Sequence, residues 1–292
     1  MKVLVFGKTG QVARELLRQA PEGTTVEALG RDDADLADAE ACAALIAATD
    51  ADAVVNAAAY TAVDRAEEEE ALATRINGTA PAAMARAAVA RGLPFLHLST
   101  DYVFDGSGTR PWQPQDATAP LNAYGRSKRQ GEIGVLTAGG SGIVLRVSSV
   151  FSAHGRNFLR TMLDLGHSRD RLRIVADQIS GPTPAADIAR AIHVIIRDPR
   201  RAGELPAIFH FAGQPDVSWA GFAREIFRQA GLDVAVEEIP TVAWPAPAER
   251  PHNSRLDCCG LVMAYGIARP DWRQGVTEVL LELGHSIQTA EA

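Results

Sequence analysis

The chain has 292 residues, of which 47% are apolar, and a formal net charge of −7. This length can bury a large core and fits one nucleotide-binding domain with a smaller second one. The sequence has no basic stretch that would follow a polynucleotide and no apolar run long enough to span a membrane, which argues against both kinds of partner. Its three cysteines have no paired or metal-ligand spacing. Together with a first strand at residue 2, they predict a cytoplasmic protein.

The first predicted element is a short buried strand at residues 2–6, followed by a glycine-rich turn and a helix. The turn reads Gly7-Lys8-Thr9-Gly10-Gln11-Val12-Ala13, a Gly-x-x-Gly-x-x-Ala pattern. Such glycines let the backbone approach a pyrophosphate, whose charge is favoured by the free N–H groups at a helix start. An ordinary strand-to-helix turn would explain the glycines alone. Their strand–helix context favours a dinucleotide site.

Further predicted strands alternate with alanine-rich helices along the first half of the chain. They lie at residues 26–29, 53–56, 94–98 and 143–147. This βαβ alternation predicts an α/β fold with a doubly wound, Rossmann-like parallel sheet that binds its ligand at the carboxyl ends of the strands. We predict a dinucleotide-binding domain over residues 1–150. Residues 151–292 should form mainly a smaller C-terminal α/β substrate domain, with part of this segment returning to the first domain.

The end of the second predicted strand bears on the choice of cofactor. An acidic residue at that place usually binds the ribose 2′-hydroxyl of NAD, whereas a guanidinium suits the 2′-phosphate of NADP. Here the strand is followed by Arg31, which favours NADPH, while Asp32 and Asp33 leave NADH open. A solvated loop charge is the alternative interpretation of Arg31.

Tyr124 and Lys128 are four residues apart, so they share one face of a predicted helix. An ammonium beside a phenol favours the phenolate. We therefore expect a lowered tyrosine pKa, suited to general acid catalysis. The spacing is common on solvated helices, but Ser99-Thr100-Asp101-Tyr102 after an apolar strand adds weight to it. His97, within that strand, is interpreted as a hydrogen-bonded core histidine.

Six blocks of sequence carry a family resemblance. They are Gly7 to Val12, Val55 to Asp64, Ser99 to Phe104, Pro120 to Gly125, Asp177-Gln178 and Arg250 to Leu256. From Lys2 to Leu283 the chain resembles the dTDP-4-dehydrorhamnose reductases, a family of extended short-chain dehydrogenase/reductases. The resemblance implies NAD(P)H-dependent reduction of the C4 ketone of dTDP-4-dehydro-L-rhamnose to dTDP-L-rhamnose, the last step in making that nucleotide sugar.

The resemblance also implies the catalytic and cofactor residues. Tyr124 would supply the proton, Lys128 would tune it and hold the nicotinamide ribose, and Thr100 would hydrogen-bond the carbonyl. Ser99 competes with Thr100, but alternation along a strand points the two in opposite directions. The cofactor contacts implied are Gly7, Thr9, Gly10, Gln11, Val12, Arg31, Asp35, Leu36, Ala57, Ala58, Ala59, Tyr60, Tyr124 and Lys128.

For the substrate, the predicted contacts are Thr100, Asp101, Tyr102, Asn157, Arg250, Asn253 and Arg255. The two arginines and Asn253 are candidates for the diphosphate and nucleoside, because one guanidinium group can bind two phosphate oxygens at once. An ordinary polar surface loop is the alternative. Phe104 and Trp112 could line the sugar or belong to the core. The family often has an aromatic residue where this chain has Ser149, which would alter sugar recognition on that side.

Some relatives dimerise around magnesium held by glutamates. Glu15 and Glu282 stand at matching places, but the third position holds Ala186, with Asp187 beside it. Magnesium could still bind through waters, although we do not expect a metal-bridged dimer and predict a monomer or a homodimer.

Two other functions stay open. Another nucleotide-sugar reductase or epimerase would use the same Tyr124 and Lys128. A regulatory subunit like that of methionine adenosyltransferase would need a partner chain. The block from Arg250 to Leu256 favours the enzyme.

Overall fold

The computed structural model of the chain describes residues 1–199 and 207–287. Its strands are β1 (Lys2–Phe6), β2 (Thr25–Leu29), β3 (Ala53–Asn56), β4 (Phe95–Thr100), β5 (Gly142–Val147), β6 (Val150–Phe151), β7 (Arg171–Val175), β8 (Ile179–Ser180), β9 (Thr183–Pro184), β10 (Ala207–Phe211), β11 (Val217–Ser218), β12 (Ala235–Ile239) and β13 (Asn253–Ser254). Its α-helices are α1 (Gln11–Arg18), α2 (Ala39–Ala48), α3 (Val63–Ala66), α4 (Glu70–Thr74), α5 (Ala80–Ala90), α6 (Ala123–Ala138), α7 (Phe158–Gly166), α8 (Ala185–Arg197), α9 (Trp219–Ala230), α10 (Cys259–Tyr265) and α11 (Trp272–Glu282). In these two ranges, no helix is long and apolar enough to cross a membrane.

Six parallel strands form the central sheet in the order β10-β5-β4-β3-β1-β2. β1 pairs with β2 on one side and with β3 on the other. The chain therefore reverses its direction of winding between β1 and β3, which is where open α/β sheets bind ligands. The predicted doubly wound α/β fold is confirmed. β5 is buried along its whole length. Such strands are mainly apolar because helices cover both faces of the sheet.

Each face of the sheet has its own hydrophobic core. On one face, Leu16 of α1 packs with Ile188 and Ile192 of α8. On the other face, Ile46 of α2 packs with Met84 of α5. This three-layer arrangement leaves the carboxyl ends of the strands open at one edge of the sheet, where their following loops meet.

A second lobe packs α7, α9 and α11 around a separate core that includes Leu159, Phe222 and Trp272. β7 pairs with β12, and β8 pairs with β11 and β13. Two elements beyond residue 150 lie with the large sheet, because β10 pairs with β5 and α8 packs against α1. The division at residue 150 stays a prediction.

Candidate active site

The glycine-rich turn lies at the point where the sheet reverses. Gly7 has a φ of +108°, and a Cβ at this position would lie 2.9 Å from the backbone nitrogen of Ala58, in the loop after β3. Gly10 precedes α1 and provides no side-chain cap, so the first N–H groups of the helix face the loop. The turn thus combines close backbone approach with a positive helix end, which suits a pyrophosphate.

Gln11 connects this turn to the second lobe. Its Oε1 accepts hydrogen bonds from Ser152 Oγ at 2.8 Å and from Asn157 Nδ2 at 3.0 Å. Asn157 also caps α7, because its Oδ1 accepts from Arg160 N at 3.2 Å. The sugar contact predicted for Asn157 stays a prediction, and its amide is occupied here by protein groups.

Two cationic side chains flank the end of β2. The Arg31 side chain is 75% exposed, with its Nε 3.7 Å from Asp35 Oδ2. Lys8 is also exposed and its stem passes close to Gly30. Asp33 is used locally, since its Oδ2 accepts from Gly30 N at 2.9 Å. Sequence reasoning missed Lys8, although its place inside the glycine-rich turn was a signal.

Other predicted cofactor residues lie near the glycine-rich turn and in the loops after β2 and β3. Thr9 is exposed in the turn, and Ala57, Ala58 and Ala59 are half-buried after β3. Val12 and Leu36 are each 7% exposed and belong to the cores on opposite faces of the sheet. Small and apolar groups thus lie in and around the loops that follow β1, β2 and β3, while the role of each in cofactor binding stays a prediction.

Close approach of backbones places Tyr124 at the end of β4. Asn122 caps α6 by accepting a hydrogen bond from Gly125 N at 2.8 Å. A Cβ on Gly125 would lie only 2.2 Å from the carbonyl oxygen of Tyr102. The first turn of α6 can therefore reach the residues after β4, where the Tyr124 ring packs edge-on against Tyr102 at 5.8 Å between centroids.

Burial controls the protonation of Tyr124. It raises the pKa of the phenol to about 12, and a hydrogen bond with Thr100 opposes this only in part. The lowered pKa that we expected from the sequence is therefore wrong for this structure. The physical reason is the burial of the phenol, and in the part of the chain described Lys128 shares no hydrogen bond with Tyr124 that would offset it. Tyr124 holds its proton at neutral pH, as a donor must.

Thr100 and Ser99 point in opposite directions, as the strand alternation predicts. Thr100 Oγ1 donates to Asp101 Oδ1 at 3.1 Å and accepts from Tyr102 N at 3.2 Å. Ser99 Oγ instead donates to the buried Glu132 at 2.6 Å. The orientation is confirmed, and only Thr100 faces Tyr124. Burial raises the pKa of Asp101 to about 6, while hydrogen bonds with Ser254 and Thr100 oppose the shift.

Lys128 is withdrawn into the protein, with 2% of its surface exposed. Its Nζ donates to the Leu98 carbonyl oxygen at 2.6 Å and lies 3.2 Å from His97 Nε2. Burial lowers the pKa of Lys128 to about 8, although the Glu132 carboxylate opposes this. His97 is confirmed as a buried, hydrogen-bonded histidine. Its contact with Lys128 was missed, because no local pattern connects a strand residue with a helix residue.

A π-helical turn at Arg75–Thr79 holds α6 in place. Asn77 within it donates to Tyr60 O at 3.0 Å and to Ser127 Oγ at 2.9 Å, and it accepts from Tyr60 N at 2.8 Å. Single π-turns are frequent at functional sites. This one ties the helix of Tyr124 to Tyr60, a predicted cofactor contact.

The two arginines predicted to bind the diphosphate both face carboxylates. Arg250 Nη2 donates to Asp64 Oδ2 at 2.8 Å, and this contact holds the pKa of Asp64 below its usual range. Arg255 Nη1 donates to Asn253 Oδ1 at 3.0 Å, and its Nε is 3.8 Å from Asp216 Oδ2. A phosphate would have to share or displace these partners.

Asn253 is engaged in holding a neighbouring loop. Its Nδ2 donates to Arg110 O at 2.8 Å, and only 2% of the residue is exposed. Trp112 donates to Asn253 O at 3.0 Å and stacks on Phe104 at 4.6 Å. Phe104 is fully buried, so it belongs to the core, whereas the substrate contact of Asn253 stays a prediction.

Glu15 and Glu282 are brought together with a residue that the sequence did not suggest. His154 Nε2 lies 3.2 Å from Glu15 Oε1 and 3.4 Å from Glu282 Oε1. Arg18 Nη2 is 2.6 Å from the other oxygen of Glu15. The carboxylates thus already have partners of their own, with a histidine between them. Histidine is a poorer ligand for magnesium than an oxygen group.

Ser149, where relatives were expected to have an aromatic residue, adopts a left-handed backbone with a φ of 47°. Its Oγ lies 2.8 Å from Ser180 Oγ.

The doubly wound sheet, the glycine-rich turn and the Tyr124–Lys128 helix define a short-chain dehydrogenase/reductase of the extended type. Residues 1–284 match the family model described as the RmlD substrate binding domain. The chain belongs to this family.

Comparison with similar sequences and structures agrees with this family membership. The chain is 40% identical over 289 residues to a dTDP-4-dehydrorhamnose reductase from Sinorhizobium fredii, with coverage of 97% of this chain and 98% of the relative. The structure of a dTDP-4-dehydrorhamnose reductase from Clostridium acetobutylicum matches with a TM-score of 0.91 at 33% identity, covering 97% and 100% of the two chains. The reductase from Bacillus anthracis, in complex with NADP, matches with a TM-score of 0.90 at 29% identity, covering 96% and 99%.

Proposed function

We propose that this chain reduces the C4 ketone of dTDP-4-dehydro-L-rhamnose with NADPH and so makes dTDP-L-rhamnose. The observation that carries the proposal is the hydrogen bond between Thr100 and Tyr124 at the end of β4, with Lys128 on the same helix as Tyr124. It is supported by a likeness to dTDP-4-dehydrorhamnose reductases that extends over nearly the whole chain.

The residues between β1 and β3, where the sheet reverses its direction of winding, fit a dinucleotide. Gly7 and Gly10 leave the space that a Cβ would fill, and the N–H groups of α1 would bind the pyrophosphate. Arg31 and Lys8 would hold a 2′-phosphate, which favours NADPH, and a similar protein from Bacillus anthracis is in complex with NADP. NADPH bound in this way would supply a hydride.

The protein's own part in the chemistry is to hold and deliver a proton. Negative charge grows on the ketone oxygen during reduction, so donors placed at that oxygen lower the barrier. Tyr124 would donate its proton there and the Thr100 hydroxyl would hydrogen-bond the same oxygen. As Tyr124 becomes a phenolate, a cationic Lys128 on the same helix would stabilise it.

On the substrate side, Arg250 and Arg255 would bind the diphosphate, exchanging part of their pairing with Asp64 and Asp216 for phosphate oxygens. Asp101 and Tyr102, directly after β4, would contact the sugar. We further propose a cytoplasmic location, with the chain acting as a monomer or homodimer that needs no bridging magnesium. Size-exclusion chromatography with magnesium and with a chelator tests the assembly.

Incubation with dTDP-4-dehydrorhamnose and either NADPH or NADH, followed at the absorbance of the reduced nicotinamide, tests the activity. We expect oxidation of NADPH and formation of dTDP-L-rhamnose. Turnover confined to another nucleotide sugar would identify a different reductase or epimerase. Activity of a partner enzyme that depends on this chain, without any turnover by the chain itself, would identify a regulatory subunit.

A further inference from the structure

A buried row of hydrogen bonds runs from the loop after β3 to Lys128. Ala58 N donates to Asn56 Oδ1 at 3.1 Å, and Asn56 Nδ2 lies 3.1 Å from His97 Nδ1. His97 Nε2 lies 3.2 Å from Lys128 Nζ, which also donates to Leu98 O. Asn56 and His97 are fully buried. Water therefore cannot replace the side chain of Asn56 or His97 in this row, and each bond constrains the next.

The direction of each bond follows from the backbone. Ala58 N–H can only donate, so it must face the oxygen of the Asn56 amide and not its nitrogen. The amide nitrogen then faces His97 and donates to Nδ1, which must accept. A neutral imidazole that accepts at Nδ1 carries its proton on Nε2. That proton points at Lys128 Nζ, which can accept it only as an uncharged amine.

We propose that His97, oriented by Asn56, is a positioning residue that presents a proton to the Lys128 amine and thereby sets the pH at which Lys128 becomes charged. The inference rests on the proposed function for its catalytic meaning, because a charged Lys128 is the form that would stabilise the Tyr124 phenolate. The geometry of the row does not depend on which substrate is reduced.

The other charged groups near Lys128 have partners of their own. On α6, Glu132 is bound by Arg146 from β5 at 2.7 Å and by Ser99 from β4 at 2.6 Å. At the end of β4, Asp101 is bound by Thr100, which also contacts Tyr124 of α6. His97 and the Leu98 carbonyl are therefore the direct polar contacts of the Lys128 nitrogen in the described structure. The shifts agree, since burial holds the pKa of His97 well below its usual value and lowers that of Lys128.

The row also couples Lys128 to the cofactor crevice. A proton arriving on Lys128 would face the Nε2 proton of His97, so the histidine would have to move its own proton to Nδ1. The Asn56 amide would then have to turn, which breaks its bond to Ala58 N. Ala58 belongs to the segment against which Gly7 packs. Charging of Lys128 and the conformation of this segment are therefore linked.

Nuclear magnetic resonance can test the proposal directly, because the chain has only three lysines, Lys2, Lys8 and Lys128. In the full-length protein labelled with ¹³C-lysine, the Lys128 signal is assigned by its loss in Lys128→Met. We expect Lys128 to titrate well below Lys2. At a pH above the Lys128 midpoint, where the amine is uncharged, ring ¹⁵N shifts should show His97 protonated at Nε2. His97 protonated at Nδ1 in the wild-type protein under these conditions would overturn the proposal.

Two variants change the proton that His97 presents. His97→Gln can turn its carbonyl oxygen towards Lys128. Asn56→Asp keeps an acceptor for Ala58 N but reverses the bond to His97. Each should raise the Lys128 midpoint by about one pH unit, which is tenfold in proton affinity and corresponds to one hydrogen bond. The double variant should shift no further than the larger single one if both act through the same row.

The matched control is His193→Gln. His193 is another buried histidine, on α8, and its Nε2 bonds Leu16 O at 3.0 Å. It should leave the Lys128 titration unchanged. An unchanged midpoint in folded His97→Gln would reject the proposal, and if that variant does not fold, the ¹⁵N measurement on the wild-type protein decides. None of these readouts requires turnover. A chain without reductase activity would thus fail the proposed function while leaving this inference to its own test.

Discussion

At the scale of single residues, burial acts in opposite directions on the two groups of the proposed proton donor. It raises the pKa of Tyr124 to about 12 and lowers that of Lys128 to about 8, because in each case the uncharged form is favoured away from water. The phenol therefore keeps its proton at neutral pH, whereas Lys128 exchanges its proton not far above neutral pH. Transfer of the tyrosine proton would create a phenolate, so the charge on Lys128 would decide how well that phenolate is stabilised.

Tyr124→Phe should keep cofactor and substrate binding but lose turnover, because only the donated proton is removed. General acid catalysis typically contributes about 10² to 10⁴-fold, and we expect a fall in kcat of that order in a steady-state assay. Tyr265→Phe, at a buried tyrosine of α10 whose hydroxyl donates to Pro199 O, is the control and should keep its rate. A loss below tenfold in Tyr124→Phe would remove this residue from the mechanism.

Arg31→Ala should weaken binding of NADPH and leave NADH nearly unchanged, because only NADPH carries the 2′-phosphate. An exposed charged contact is worth about 1 kcal/mol, so Kd for NADPH should rise by about fivefold in a fluorescence titration. Arg86→Ala, at an exposed arginine of α5, controls for net charge. Equal changes for both cofactors would show that Arg31 is a solvated surface charge.

Arg250→Gln and Arg255→Gln should act mainly on KM for the nucleotide sugar, since a phosphate contact exists in both the ground state and the transition state. Loss of a charge-assisted bond of about 1.5 to 3 kcal/mol corresponds to a rise in KM of one to two orders of magnitude. Arg224→Gln, which removes an exposed pair with Glu238, is the control. If KM stays within twofold in both variants, the diphosphate binds elsewhere.

At the scale of elements, α6 is positioned by glycines on the face that meets the rest of the site. Gly125 leaves room for the Tyr102 carbonyl, and a Cβ on Gly131 would lie 2.1 Å from the Asn77 carbonyl oxygen. These contacts fix how closely α6 packs against the residues after β4 and against the π-helical turn. The distance from Thr100 to Tyr124 is therefore set by backbone packing as much as by these two side chains.

Gly125→Ala should destabilise the protein, because the new methyl group would overlap the backbone of Tyr102 at 2.2 Å. Overpacking of this kind typically costs about 1 to 3 kcal/mol, measurable as a lower midpoint of urea unfolding. The residual folded enzyme should also lose activity. In Gly260→Ala on α10, the methyl group would lie 3.3 Å from the Phe209 ring, so a smaller effect is expected. Equal stability of the two variants would contradict this account of α6.

The elements of the cofactor half could be read from the sequence because their signals are local. β1 and β3 have the predicted bounds, and β2, β4 and β5 differ by one or two residues at their ends. β1, β3 and β5 are mainly apolar runs flanked by turn residues, as strands buried on both faces require. β2, at the edge of the sheet, is more exposed and was found from its place in the alternation. The π-helical turn around Asn77 was not predicted, since its bonds to Tyr60 and Ser127 depend on the assembled fold.

The candidate site was predictable in its residue types but not in its pairings. Tyr124 and Thr100 meet as the motifs suggested. Lys128 turns towards His97, and Arg250 binds Asp64, more than 180 positions away along the chain. Ion pairs and hydrogen bonds between distant segments leave no periodic trace in a sequence. The bonds of Asn157 to Gln11 and at the start of α7 were likewise not predicted, and its substrate contact stays a prediction.

At the scale of the whole molecule, buried neutral histidines should make the fold sensitive to acid. Burial lowers the pKa of His210 from 6.5 to about 3. The unfolded chain therefore takes up this proton below about pH 6.5 while the folded chain does not, and stability is lost as the pH falls through that range. Asp101 acts in the opposite sense. Its folded pKa of about 6 lies above the ordinary 3.8, so its contribution is lost as the pH rises.

His210→Gln should flatten the dependence of unfolding free energy on pH between about 6 and 4, by up to about 1.4 kcal/mol per pH unit. Urea titrations at a series of pH values measure this slope, which is independent of any constant loss from the bonds of His210 to Arg146 and Trp112. An unchanged slope in His210→Gln would show that this histidine does not titrate differently on unfolding.

β10, the last strand of the large sheet, has a consequence for how this protein can be divided by recombination. It covers the edge of β5 although it is encoded far downstream of it. A gene fragment ending near codon 150 would yield a sheet with a bare row of N–H and C=O groups along β5, a surface that promotes association between copies. A hybrid of two relatives that is to retain a closed sheet must inherit β10 and α8 together with the first half. The exchangeable unit is thus discontinuous in the gene, even though it is continuous in space.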